Sequence, residues 1–272
     1  MIRVDGTAHT VVPATDRGLA YGDGVFRTLT AVAGRARHWP FQYERLSADC
    51  RALDLPVPDR PFLEREIALV SAESARCVVK ITVTCGSGER GYRRPDAPKT
   101  TVIVASSSFP DYPAPCRTAG VAVHACRTRL ALQPALAGIK HLNRLENVLA
   151  RNEWNDSDVR EGLMRDTEDR LVCGTMSNVF LVEGDRLVTP ALDRCGVAGA
   201  TRAALLAMAR RHGREVVIED VAWDRALRAT AVLLTNSVIG VWPVRRIGDR
   251  AFAGGAIADE LNRWLDEADE TA

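Results

Sequence analysis

Near residues 106–116 the chain reads SSSFPDYPAP, a run of serines and prolines that suits neither a helix nor a sheet interior. Proline lacks the amide proton that a ladder or a helix requires, and serine competes with the backbone for hydrogen bonds. This is the sharpest break in the sequence. It divides the 272 residues into two stretches, each long enough to bury a core of its own. The reading is a smaller N-terminal α/β domain over residues 1–110, a linker over 111–120, and a second domain over 121–272.

The hydrophobic pattern on each side mixes strand and helix. Before the break, Val25 to Ala33 is β-rich, and Gly34-Arg35 reads as a turn into a short return strand. Phe41, Leu46, Cys50 and Leu53 recur at roughly helical spacing, and Pro61 to Ser74 reads as a second helix. CVVKITVT (Cys77 to Thr84) and TTVIVA (Thr100 to Ala105) read as buried strands. After it, a strand is expected at Val121 to Ala125, then a helix after Lys140 with Leu142, Leu145 and Leu149 as its apolar stripe. Short strands follow at Gly162–Arg165, Leu171–Val172, Val179–Val182 and Leu187–Val188. A helix from about Ala200 to His212 stops at Gly213; strands near Val216 and Val232 and a helix around Ile257 to Leu265 complete the pattern. The fold class is α/β (α+β) in two domains.

Charge and cysteine content exclude several functions. With 36 basic and 35 acidic residues, the net charge of +1 leaves no electrostatic footprint for nucleic acid or an anionic membrane surface. The longest uncharged run, Ala229 to Val244, is too short and too polar to span a bilayer. The opening MIRVDGTAHTVV shows no signal-peptide pattern. Seven cysteines, never closer than eight residues, read as reduced thiols of a cytoplasmic protein, with no CxxC pair and no metal site expected.

Four segments are candidates for chemistry. Gly86-Ser-Gly88-Glu-Arg-Gly91 matches GxGxxG after a strand, but Tyr92-Arg-Arg-Pro95-Asp-Ala-Pro98 follows, and two prolines deny it the helix a dinucleotide site needs. A flexible, arginine-bearing loop is the better reading. Chemistry requiring a primary amine has three lysines to choose from: Lys80, Lys99 and Lys140. None sits in a P-loop context, and a lysine at a helix start is ordinarily a surface charge. Lys140, in AGIKHLNRLE after an apolar stretch, has the partly apolar setting in which an amine becomes nucleophilic. Gly196-Val-Ala-Gly199-Ala-Thr-Arg202 leads into a helix, where free backbone N–H groups bind phosphate, although it also reads as an ordinary turn. Thr235-Asn-Ser237 ends a strand with short polar side chains.

Together these segments resemble the fold-type IV pyridoxal-phosphate enzymes, the group of branched-chain aminotransferases, D-amino acid aminotransferases and aminodeoxychorismate lyases. The resemblance is carried by DRGLAYGDGVFRT at 16–28, YERL at 43–46, GSGERGY at 86–92, LAGIKHLNRLENVLAR at 136–151, SNVF at 177–180 and TPALDRCGVAGATR at 189–202. The Lys140 segment and GSGERGY are most similar to the lyase branch. The resemblance implies a C-terminal pseudo-barrel domain, a homodimer, and pyridoxal 5'-phosphate as cofactor. Lys140 would carry the cofactor through its amine and shuttle protons. Arg45 would bind the cofactor phosphate, as would the backbone at Val197 and Ala198, and Ser237 falls where the aminotransferases carry a phosphate-binding Thr. Arg90 and Tyr92 would lie near the carboxylates of a small-molecule substrate.

Two departures stand out. Cys173, in LVCGTMSNVF, occupies the position where the group usually has a Glu against the pyridine nitrogen, and a neutral thiol is a weak hydrogen-bonding group. Cys85 stands where the lyases often carry an Arg before the GSG loop. For the lyase branch the resemblance implies conversion of 4-amino-4-deoxychorismate to p-aminobenzoate and pyruvate, with a functional link to aminodeoxychorismate synthase. A D-amino acid or branched-chain aminotransferase, or a low-activity cofactor-binding relative, is the alternative on the same scaffold.

Overall fold

The structure, a computed structural model, describes residues 1–270. They form two compact units: Met1–Pro110 together with Ile139–Asn143, and Asp111–Gly138 together with the chain from Arg144 onward.

The first unit carries β1 (Ile2–Val4), α1 (Arg17–Tyr21), β2 (Gly24–Val32), β3 (Arg35–Ala36), α2 (Trp39–Ala52), α3 (Arg60–Ser71), β4 (Arg76–Thr84) and β5 (Thr101–Ser108). Its five strands make an antiparallel sheet in the order β1-β5-β4-β2-β3. Strand periodicity explains the core: in β4, Cys77, Val79, Ile81 and Val83 are buried while Lys80 between them is exposed. These residues meet Leu46 and Cys50 of α2 and Leu63, Ile67 and Val70 of α3 in one apolar cluster. Both helices begin earlier than the apolar spacing indicates, because Pro40 and Pro61 occupy the first turn, where a missing N–H costs nothing. The short α1 is built by its caps. The Asp16 side chain accepts from Gly18 N at 2.8 Å, and Gly22 closes the helix at φ +64°.

The second unit carries α4 (Pro115–Thr118), β6 (Val121–Leu130), a 3-10 turn (Pro134–Leu136), α5 (Leu145–Arg151), β7 (Val159–Asp166), β8 (Arg170–Gly174), β9 (Asn178–Glu183) and β10 (Arg186–Pro190). It continues with α6 (Ala200–Arg211), β11 (Val216–Glu219), β12 (Val221–Ala222), α7 (Trp223–Arg228), β13 (Ala231–Asn236), β14 (Gly240–Ile247), β15 (Arg250–Ala251) and α8 (Gly255–Glu270). Ten strands form one sheet in the order β11-β10-β9-β13-β14-β6-β7-β8-β12, with β15 on β14. Strand β8 also packs against β9 and β10, so the sheet curls back on itself and nearly closes. Nearly every residue of β9 and β13 is buried, with Val179, Leu181, Val232 and Leu234 at the centre of the core.

Two segments differ from the sequence expectation. The expected linker contains α4, whose Cys116 is buried, and Tyr112 meets the Trp242 ring edge-on at 4.8 Å. Residues 111–120 thus pack as part of the second unit. Lys140 is not at a helix entrance: α5 starts five residues later, and Ile139–Asn143 groups with the first unit.

Candidate active site

Lys140 lies on a short extended segment that pairs with the N-terminal half of β2. Val25 and His141 form an antiparallel bridge, Phe26 N donates to the Lys140 carbonyl at 2.9 Å, and Leu142 N donates to the Gly24 carbonyl at 3.0 Å. Alternation along the segment sends Ile139 into the apolar core, whereas the Lys140 Nζ lies 4.4 Å from the centre of the Phe26 ring. The backbone N–H of Lys140 donates to Asp49 Oδ2 at 3.1 Å. Lys80 and Lys99, by contrast, are exposed.

Asp49 is on α2, one turn beyond Arg45, so the two side chains share a helix face. Arg27 of β2 pairs with Asp49 and also donates to the Arg45 carbonyl at 3.4 Å. Arg27 and Asp49 are 2% and 4% exposed. Burial pushes the Asp49 carboxyl up against the pull of Arg27, and pushes the Arg27 guanidinium down against the pull of Asp49. The Nε of Arg45 is buried without a hydrogen-bond partner among the described residues. A buried cationic N–H of this kind calls for an anion.

The second unit gathers a separate set at the N-terminus of α6. Gly199 takes the cap position with extended backbone and offers no side chain. Asn178 holds the approach, its Nδ2 donating to the Val197 carbonyl at 2.8 Å and its Oδ1 accepting from Gly199 N at 3.0 Å. Gly196 needs its φ of +83°, and a Cβ there would meet Val172 Cγ1 at 2.7 Å. Thr201, in the first turn of α6, hydrogen-bonds Ser237 at 3.0 Å, which brings Ser237 to the same helix end as Val197 and Ala198. The Ala198 N–H donates to the Gly138 carbonyl at 2.9 Å. The sequence-level reading of that amide as a phosphate donor therefore competes with a bond already made.

Cys173 is buried on β8, opposite Met164 of β7, in a cluster with Cys126, Trp154 and Cys195. Burial, reinforced by nearby Cys195 and Glu161, pushes its thiol well above the ordinary range, so it is neutral at pH 7. A buried carboxylate near Cys173 is Glu161, 1% exposed on β7. It accepts from Gly162 N at 2.9 Å, Thr175 N at 3.0 Å, Met176 N at 3.1 Å and Ser177 Oγ at 2.8 Å, and from the Thr175 hydroxyl. Burial raises its pKa against these donors. Glu161 shapes the turn that follows Cys173, and a Cβ at Gly174 would meet Ser177 Oγ at 2.2 Å.

Arg90 and Tyr92 are exposed on the loop after β4, which is held down at its base. The Arg17 guanidinium donates to the carbonyls of Gly91 at 2.9 Å and Tyr92 at 2.9 Å, and Gly91 N donates to the Tyr21 hydroxyl at 3.1 Å. Arg17 and Arg94 both pair with Asp23. Burial alone would raise the Asp23 carboxyl, and the hydrogen bonds from Arg94 and Arg17 outweigh it and hold it low. The loop read as flexible is thus clamped, and buried Cys85 lies beside that clamp. Sequence reading missed Arg17, Asp23, Arg27, Asp49, Glu161 and Asn178. One signal was present: Arg27 sits in the same alternation as Val25, Leu29 and Ala31, so a charge there demands a buried counter-charge.

The model of the amino-transferase class IV family matches residues 24–247. The chain belongs to that family. It is 35% identical to an aminodeoxychorismate lyase of Vibrio harveyi over 91% of this chain and 91% of that protein. The 4-amino-4-deoxychorismate lyase structure from Pseudomonas aeruginosa superposes with a TM-score of 0.93 at 43% identity, covering 98% of both chains. The branched-chain amino acid aminotransferase of Escherichia coli shares the fold, at TM-score 0.83 and 20% identity over 96% of this chain and 92% of that one. Each unit by itself offers donors of the kind the implied cofactor needs: in the first, the Lys140 amine and the buried Nε of Arg45 without a hydrogen-bond partner; in the second, a glycine-capped helix N-terminus.

Proposed function

We propose that this class IV protein is a pyridoxal 5'-phosphate-dependent lyase that converts 4-amino-4-deoxychorismate into p-aminobenzoate and pyruvate. The observation that carries the reading is the likeness to the Pseudomonas aeruginosa lyase over 98% of both chains at 43% identity. The aminotransferase reading has weaker support, since the Escherichia coli enzyme shares the fold at 20% identity.

Lys140, Arg45, Val197, Ala198, Cys173 and Ser237 are the proposed cofactor-binding residues. Arg45 supplies a fixed charged fork suited to phosphate, and the α6 N-terminus supplies a backbone dipole suited to the same chemistry. Ser237, paired with Thr201, offers a hydroxyl at that end. When bound, the cofactor acts as an electron sink for the bonds at the carbon bearing the substrate amine. The Lys140 Nζ takes the proton from that carbon and returns one to the methylene of the departing enolpyruvyl group. A neutral Cys173 offers the ring nitrogen a weak partner, a constraint a lyase tolerates because its product becomes aromatic. Arg90 and Tyr92, on the loop clamped by Arg17, are the proposed contacts for the substrate carboxylates.

A homodimer is part of the reading. Leu145, Val148 and Leu149 of α5 are 76%, 51% and 60% exposed, and their i, i+3, i+4 spacing makes one apolar face suited to a second copy. No helix among the described residues is long and apolar enough to cross a membrane. All seven cysteines are free, which supports a cytoplasmic setting. The substrate would come from aminodeoxychorismate synthase.

The deciding assay supplies 4-amino-4-deoxychorismate with no oxo-acid acceptor. Release of pyruvate and p-aminobenzoate is expected, and amino transfer that requires an acceptor would overturn the proposal. Borohydride reduction followed by peptide mapping should place the cofactor on Lys140, and Lys140→Ala should abolish the label.

A further inference from the structure

The proposed amine and the proposed phosphate-binding arginine lie on different elements of the first unit, and one carboxylate joins them. Asp49 Oδ2 accepts the Lys140 backbone N–H at 3.1 Å, and Asp49 lies one turn from Arg45 on α2. Arg27 Nη2 meets the same oxygen and reaches the Arg45 carbonyl at 3.4 Å. On the other side of Lys140 its carbonyl is fixed by Phe26 N.

We infer that Asp49, held in place by Arg27, is a positioning residue that sets the separation between the Lys140 amine and the Arg45 guanidinium. This inference deepens the proposed function and rests on it. With its backbone held on both sides, Lys140 has only its side chain left to move. A proton carrier that must reach two carbons in turn needs a fixed pivot, since a displacement of about 1 Å costs on the order of a hundredfold in rate. Stability alone does not account for the pair, because apolar residues of similar size commonly replace a buried ion pair without loss. What they cannot replace is the oxygen that receives the Lys140 N–H. The amide of an asparagine can replace it.

Two double variants isolate that oxygen. Arg27→Met/Asp49→Asn and Arg27→Met/Asp49→Leu both lack the buried cation and differ in whether residue 49 can accept the Lys140 N–H. The expected result is that both cofactor-free proteins fold, with the thermal midpoint of the leucine variant only a few degrees lower because it strands the Lys140 N–H. The leucine variant should lose cofactor on gel filtration, and the rate of borohydride labelling of Lys140 should fall about tenfold relative to the asparagine variant. Its kcat should fall by about a hundredfold with little change in KM. Asp49→Asn against Asp49→Leu in the wild-type background repeats the comparison should either double variant fail to fold. Equal retention, labelling and kcat in the paired variants would overturn the inference. Labelling and retention do not depend on which substrate is turned over. A wild-type protein that labels at Lys140 and releases no pyruvate would therefore sink the functional reading and leave this one standing.

Discussion

Asp49 and Glu161 are buried carboxylates, one in each unit, satisfied in opposite ways. Asp49 faces a full positive charge on Arg27 and spends one oxygen on the Lys140 amide. Glu161 is surrounded by backbone amides and two hydroxyls instead, and most of these belong to the turn from Gly174 to Ser177. A charge-paired carboxylate can be exchanged together with its partner, because the two costs cancel as a unit. A carboxylate ringed by neutral donors has no such unit, and each donor separately loses its acceptor when the carboxylate goes. The first arrangement links elements far apart in sequence, and the second stiffens one local turn.

The largest expected effect tests this difference in stability. Glu161→Ala should cost about 4 kcal/mol or more in chemical denaturation, the sum of several stranded donors and a cavity, and no partner substitution should restore it. Asp49→Ala alone should cost about 3–5 kcal/mol by removing the buried counter-charge of Arg27, whereas Arg27→Met/Asp49→Asn, which keeps an acceptor for the Lys140 N–H, should return to within about 1 kcal/mol of the parent. Failure of the double variant to recover would break the contrast.

A second test reads pH. Glu161 has a raised folded-state pKa, so its stabilising contribution is complete below its unfolded value and declines as pH rises through the folded one. Asp23, held low by Arg94 and Arg17, contributes above its unfolded value and loses that contribution as pH falls. Denaturation curves from acid to neutral pH should therefore change slope in opposite directions for Glu161→Gln and Asp23→Asn. The same direction for both would mean that burial does not govern Glu161.

The smallest expected effect is at the α6 end. Ser237→Ala should weaken cofactor retention by about fivefold, the value of one neutral hydrogen bond, and leave the thermal midpoint of cofactor-free protein nearly unchanged. A loss as large as that of Arg45→Ala would make the hydroxyl equal to a charged fork and would redraw the proposed phosphate site.

The strands were legible because β4 alternates so regularly and because β9 and β13 are apolar on both faces. Lys140 could be singled out as the candidate amine because only three lysines exist to choose from. Its setting was not. Leu142, Leu145 and Leu149 suggest a helix starting at the lysine, yet β2 needs edge partners for its Gly24 and Phe26 groups, and the segment 139–143 provides them. Asp49 could not be found from spacing, since its partner Arg27 is 22 residues away and Lys140 is 91 residues away. The clamp at Arg17 was hidden for the same reason, because its acceptors are backbone carbonyls of a distant loop, and any sequence supplies carbonyls.

The excursion of Ile139–Asn143 into the first unit also bears on synthesis. When residue 110 leaves the ribosome, the N-terminal sheet has all five of its strands, yet Asp49 still lacks the Lys140 amide and β2 still has an open edge. About thirty more residues must emerge before that edge is covered, a delay of a few seconds at ordinary translation rates. The half-made protein therefore presents a bare strand edge on which another chain can pair. The lysine proposed to carry the chemistry is also the one whose arrival closes that edge.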